Sequence, residues 1–192
     1  MKKLLLLALT FASVARLNAA IIPLDLQGKA GFGLLIGNEN PAVLVGGLGG
    51  EVGAGITFND ATNVLTLNFG WGTGNNAGFV NLTGVATAGH IHGPTASTGV
   101  AAFTQSASPL ITLDTLPAWN TSASSGGLTN TTVSLTAGQA VNLLAGQLYV
   151  NVHTAANGGG EIRGYLVQVP EPSVIGLLGL GASGMLFRRR RA

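Results

Sequence analysis

The chain has no cysteine. That excludes a disulfide framework, a thiolate nucleophile and a thiolate metal site. A domain without cross-links must be held by packing and backbone ladders alone. Charge is nearly as scarce: Asp, Glu, Lys and Arg make up 8% of the 192 residues, against ~25% in an ordinary soluble domain. So few charges cannot cover a soluble helical bundle. No apolar run reaches the ~20 residues of a membrane-spanning helix. What is plentiful is glycine, at 30 positions, together with Thr, Asn, Val and Leu. This is the composition of an all-β domain with many turns. Apolar residues form 46% of the chain, which argues against disorder.

The formal net charge of +2 and the pI near 9.4 belong to the chain ends. Lys2, Lys3 and Arg16 make one end basic, and Arg188, Arg189, Arg190 and Arg191 the other. Between them only Lys29 and Arg163 face six acidic residues. The middle is mildly acidic and has no basic patch, so nucleic acid is excluded as a partner.

Residues 1–20 have the build of a secretory signal peptide: Lys2-Lys3, an apolar stretch over 4–14, then Ala19-Ala20. Signal peptidase is expected to cut after Ala19 or Ala20, although neither position has the ideal small residue at −3. The domain proper is expected over residues 21–168. Residues 169–192 form a tail in three parts. Val169, Pro170, Glu171 and Pro172 come first, and the two prolines prevent a strand or helix from continuing. Residues 173–187 carry no charge and, as a helix, reach only ~22 Å, short of the ~30 Å hydrocarbon core. Arg188 to Arg191 then hold the end on the cytoplasmic side. Four glycines weaken that helix, which suits a transient enzyme substrate better than a permanent anchor.

This tripartite tail resembles the PEP-CTERM sorting signal. The resemblance implies recognition by an exosortase, a membrane-bound cysteine transpeptidase, and processing near Pro170 to Pro172. It further implies a Gram-negative host that makes exopolysaccharide, with release or attachment at the cell surface.

In the middle, Ile56-Thr57-Phe58 and residues 64–69 flank the turn-rich Asn59-Asp60-Ala61-Thr62-Asn63 and read as a hairpin. Further short strands are expected at 79–82, 89–92, 100–103 and 110–113, the last inside a Ser/Thr/Asn-rich connection over 106–132. Thr136 to Gln139 fits a capping box for one short helix that ends at Gly146. Residues 148–153 and 161–168 form a second hairpin. Gly46-Gly47-Leu48-Gly49-Gly50 lacks the Lys-Ser/Thr of a phosphate loop and reads as turns. Short strands joined by long connections predict a Greek-key β-sandwich. Three sequons, at Asn81, Asn120 and Asn130, follow from the Asn/Thr richness.

The polar residues make one constellation. His90 and His92 are two apart, so in a strand they share a side. The simplest register of the last hairpin sets His153 opposite Glu161, Asn151 opposite Arg163 and Tyr149 opposite Tyr165, with Val152–Ile162 and Leu148–Leu166 on the other face. Two readings stay open. In one, the alternative function is a metal-binding, redox-active domain, in which His90, His92 and His153 ligate copper or zinc, with Glu161 as a ligand or behind one. In the other, no cofactor binds, and Glu161 and Arg163 satisfy the imidazoles in a buried network. No serine sits in an activating motif, so an enzyme is not expected.

Gly89-His90-Ile91-His92-Gly93-Pro94, and Tyr149-Val150-Asn151-Val152-His153-Thr154 followed by Gly160-Glu161-Ile162-Arg163-Gly164, resemble the CHRD domain named for chordin. Where many members have a proline in the turn, this chain has Asn157-Gly158-Gly159. The resemblance implies an immunoglobulin-like or superoxide-dismutase-like β-sandwich and brings no catalytic residues. The expected function is a non-catalytic cell-surface or matrix protein that meets exopolysaccharide or other envelope components.

Overall fold

The computed structural model describes residues 20–170. The signal peptide, the 173–187 helix and the arginine cluster lie outside the described residues. Among the described residues no helix is long and apolar enough to cross a membrane.

The structure is all-β, with eleven strands hydrogen-bonded into one sheet. In chain order they are β1 (Ile21–Gly28), β2 (Gly31–Phe32), β3 (Leu34–Leu35), β4 (Leu48–Glu51), β5 (Ile56–Asn59), β6 (Val64–Trp71), β7 (Ala86–His92), β8 (Pro109–Thr112), β9 (Gly127–Ser134), β10 (Tyr149–Thr154) and β11 (Ile162–Gln168). Between β9 and β10 lies α1 (Ala137–Leu144), whose capping box is formed: Thr136 Oγ1 accepts from Gln139 N, and Gln139 Oε1 accepts from Thr136 N. Gly146 follows it at φ +67, the left-handed conformation that ends helices at glycine.

β1 organises the sheet. Its first half pairs with β5 (Ile22↔Phe58) and its second half with β11 (Leu26↔Leu166). Leu24 pairs with both, with Ile56 and with Gln168, so the two partners lie along opposite edges of β1. Pairings β5–β6, β6–β4, β4–β3 and β3–β11 complete a closed circuit back to β1. β10, β7 and β8 extend outward from β11, and β9 lies against β6. Within the circuit Leu24, Leu26, Leu65, Leu67, Phe69 and Trp71 meet Ile91, Val150, Val152, Ile162 and Leu166, all essentially without exposure.

Several expectations need correcting. Residues 100–103 belong to a 3-10 helix, Gly99–Thr104, not a strand. Val100 is exposed there while Phe103, three residues on, packs on Tyr165, a helical rather than a two-residue period. Residues 79–82 make one bridge, Val80↔Leu48, because Leu82 N already turns away to Ala123 O. β6 runs on through Gly70 and Trp71, beyond the expected end at residue 69. The glycine cluster is not all turn: Leu48–Glu51 is β4, and a Cβ on Gly49 would stand 2.2 Å from Gly70 O. β1 and the threonine-rich β9 had not been expected as strands at all.

The β10–β11 hairpin has the predicted register, with Tyr149↔Tyr165, Asn151↔Arg163 and Val152↔Ile162. Yet every residue of β10 is buried. Its even positions face the main core, while Tyr149 and Tyr165 join Ala102 and Phe103 in a second cluster on the opposite face. Residues 99–108 roof that second face, and the roof positions the candidate site.

Leu67 is fully buried in the main core. Leu67→Ala is expected to lower the unfolding free energy by about 2–5 kcal/mol, measurable by urea denaturation.

Candidate functional site

Two strands build the site. His90 and His92 project from β7 on one side, and β10 lies beside it with Asn151↔His90 and Tyr149↔His92 in register. His153 is two residues beyond Asn151, diagonal to His90. A strand this close to Trp119 needs Gly89, where a Cβ would meet the indole at 2.2 Å. The outcome is a triangle of imidazoles with ring centroids 5.4 Å (His90–His92), 5.1 Å (His90–His153) and 5.8 Å (His92–His153) apart. Each ring can offer one nitrogen so that all three nitrogens lie within 4.8 Å of one another.

The rings are held from behind. His92 Nδ1 donates to Ala107 O at 2.8 Å, and His153 Nδ1 to Gly158 O at 3.1 Å. His90 Nδ1 lies 3.2 Å from His153 Nε2, and its Nε2 is 3.9 Å from Asp114 Oδ1. His92 Nε2 is buried without a partner. Burial holds the His92 pKa down to about 4, against the bond to Ala107 and with help from the neighbouring histidines and Arg163. Burial likewise lowers that of His153. Neutral imidazoles are therefore the resting form of both at neutral pH.

Behind the imidazoles, His92 stacks on Tyr149 at 5.0 Å and 13°. The Arg163 guanidinium covers the other part of that ring, 4.1 Å from its centroid. Tyr149 Oη donates to Ala107 O, the same carbonyl that orients His92. Tyr165 Oη donates to Ala102 O and Gln105 O, and burial pushes its pKa up to about 12. Polar groups of the strands thus stitch the 99–108 roof down.

Two expected roles are overturned. Arg163 does not serve the imidazoles. It donates to Gln105 O and Ser106 Oγ, and its Nε is 3.2 Å from Glu39 Oε2 without the alignment of a hydrogen bond. Burial of Glu39 outweighs that cation and raises its pKa to about 7. Glu161 does not face His153 either. Its N–H reaches Val152 O at 2.7 Å, the residue already paired with Ile162. Two residues against one is a β-bulge, and it turns Glu161 away from the histidine face. The carboxylate instead accepts from Gly47 N, Thr83 N, Thr83 Oγ1, Thr154 Oγ1 and Asn157 Nδ2. Burial alone would raise its pKa, but the bonds from Thr154, Thr83 and Asn157 outweigh burial and hold it below the ordinary value. Asn151 donates to Gly159 O while its Oδ1 has no partner. Gly160, at φ +127, fits there because a Cβ would strike Asn151 and Glu39.

The sequence offered no signal for Glu39, Asp114 or the Ala107 and Gly158 carbonyls. They are remote in the chain, or are backbone atoms that any residue supplies. Of the expected sorting residues, Val169 and Pro170 are described: Val169 N donates to Pro23 O, and Pro170 follows in no regular element. Glu171, Pro172 and Arg188 to Arg191 lie outside the described residues.

The CHRD domain family matches residues 37–166. The PEP-CTERM protein-sorting motif matches residues 168–191. No curated protein matches the chain, and no solved structure does.

Glu161→Gln is expected to cost about 2–3 kcal/mol, read from denaturant midpoints. Because the Glu161 pKa is depressed on folding, the advantage of the wild type over this variant is complete above pH 4.5 and shrinks as pH falls below it. In metal-free protein the His92 ring signals should titrate near pH 4 rather than 6.5 by NMR. The contribution of neutral His92 to stability is then full above pH 6.5 and is lost on acidification toward pH 4.

Proposed function

The chain belongs to the CHRD domain family, and on that premise we propose that it is an exported, non-catalytic protein displayed at the cell surface or in the extracellular matrix. The PEP-CTERM motif implies recognition by an exosortase-type sorting enzyme, with export and membrane anchoring through the C-terminal region before processing. That motif is the single observation that carries the reading. In this reading, signal peptidase removes residues 1–20 and the sorting enzyme cuts near Pro170 to Pro172. The domain over 21–168 is a Greek-key β-sandwich of the immunoglobulin or superoxide-dismutase kind, delivered to exopolysaccharide or other envelope components.

Two structural facts support it. Strand pairing begins at Ile21 and ends at Gln168, with Val169 N still bonded to Pro23 O, so the body is closed just before the proline pair. In addition, the charged groups Glu161 and Arg163 are both spent on holding loops in place, as expected of a scaffold.

Mass spectrometry of the protein from its own bacterium tests the proposal. The expected form begins at residue 20 or 21, lacks the arginine end and fractionates with the envelope or matrix. Replacing Pro170, Glu171 and Pro172 with alanine should leave the tail uncut. A soluble cytoplasmic protein with both ends intact would end this reading.

A further inference from the structure

We propose that His90, His92 and His153 form a binding site for one divalent first-row transition ion, copper or zinc, with a coordination position open to solvent. The positions of the protons make the first case for it. A carbonyl oxygen only accepts, so His92 Nδ1 against Ala107 O and His153 Nδ1 against Gly158 O must each carry the proton of their ring. A neutral imidazole has a single N–H, which leaves a lone pair on both Nε2 atoms. On His92 that lone pair is buried and has no donor at all. His153 Nε2 points at His90 Nδ1, 3.2 Å away, and the ring proton of His90 bridges the two nitrogens. When a cation takes its place between the rings, that proton can move to His90 Nε2, on the side of Asp114 Oδ1 at 3.9 Å. Carbonyl or carboxylate partners on the far nitrogen are how proteins orient metal-binding imidazoles.

Distances agree with the protons. Two nitrogens bound tetrahedrally at ~2.0–2.1 Å stand ~3.3 Å apart, and the His90–His153 pair is at 3.2 Å. One nitrogen from each ring can be chosen so that all three lie within 4.8 Å of one another, so closing such a set needs a movement of about 1.5 Å. Three imidazoles without thiolate suit copper or zinc and not calcium or magnesium. The His90 side chain retains 20% exposure, whereas His92 and His153 are buried. That edge supplies both the way in and the open position.

The full chain, purified in detergent and stripped with chelator, is titrated with Cu²⁺ or Zn²⁺ alone by calorimetry. One ion per chain is expected. With Cu²⁺, the electron paramagnetic resonance spectrum should carry superhyperfine splitting that changes when the histidines are ¹⁵N-labelled. His92→Asn and His153→Asn preserve an N–H for Ala107 O and Gly158 O but have no atom at the Nε2 position. Each should retain the circular dichroism of the wild type and bind at least ~100-fold more weakly, beyond the 10–100-fold cost of losing an orienting partner. Asparagine variants that bind like the wild type would overturn the site, as would a wild type without a stoichiometric ion. If a variant fails to fold, the isotope experiment decides alone: a spectrum indifferent to ¹⁵N-histidine removes the site.

Discussion

A carboxylate shut away from water stays ionised only if donors replace its hydration shell. Glu161 has no exposed surface and collects five donors from residues 47, 83, 154 and 157. Four of the five come from loops, at the entry to β4, the approach to β7 and the turn between β10 and β11, and the fifth is Thr154 at the end of β10. The bulge that aims Glu161 at them also frees the opposite face of the hairpin for the imidazoles. Were Glu161 to follow the regular alternation, it would stand beside His153, and three loops would lose their common anchor. One local irregularity therefore separates the part of the hairpin that holds the fold from the part that can bind.

On the opposite face the same requirement is met by backbone. A strand layer buried on both sides must find partners for every polar side chain it carries there. The 99–108 roof supplies carbonyl oxygens for Tyr149, Tyr165, Arg163 and His92 Nδ1, from Ala102, Gln105 and Ala107, while His92 Nε2 and Asn151 Oδ1 stay without a partner. Tyr149, Tyr165 and Arg163 act as struts, and His92 is oriented as a by-product of the same arrangement. The roof carries almost no charge of its own, so it can cover the layer without importing further groups that need neutralising. Burial keeps His92 and His153 neutral, and neutral imidazole is the form that coordinates metal.

How much of this was legible in the sequence differs from element to element. The 148–168 hairpin was read in register from Tyr149↔Tyr165 to Val152↔Ile162, because apolar and polar positions alternate on both strands and only one register segregates them; the pair expected beyond it, His153 with Glu161, does not form. The helix was legible from its capping box, a purely local interaction. β1 and β9 were missed. β9 is an edge strand whose threonines pack on β6 without an apolar stripe, and Asn130 in it turns to φ +48 to bond Asn68. The 99–104 segment was read with the wrong period because Gly99, at φ +56, lets the chain start a tight helix where a run of apolar residues suggested a strand.

By itself the sequence determined the all-β class of fold, the family, the sorting tail and the sharing of one strand side by His90 and His92. Those are matters of order, spacing and two-residue alternation, which the chain carries locally. Only the tertiary structure decided what the polar residues do. Whether Glu161 meets an imidazole or a threonine hydroxyl depends on a bulge, and which nitrogen of each histidine is bare depends on carbonyls of Ala107 and Gly158. Backbone carbonyls are the same in every residue. Their directions exist only once the chain has folded.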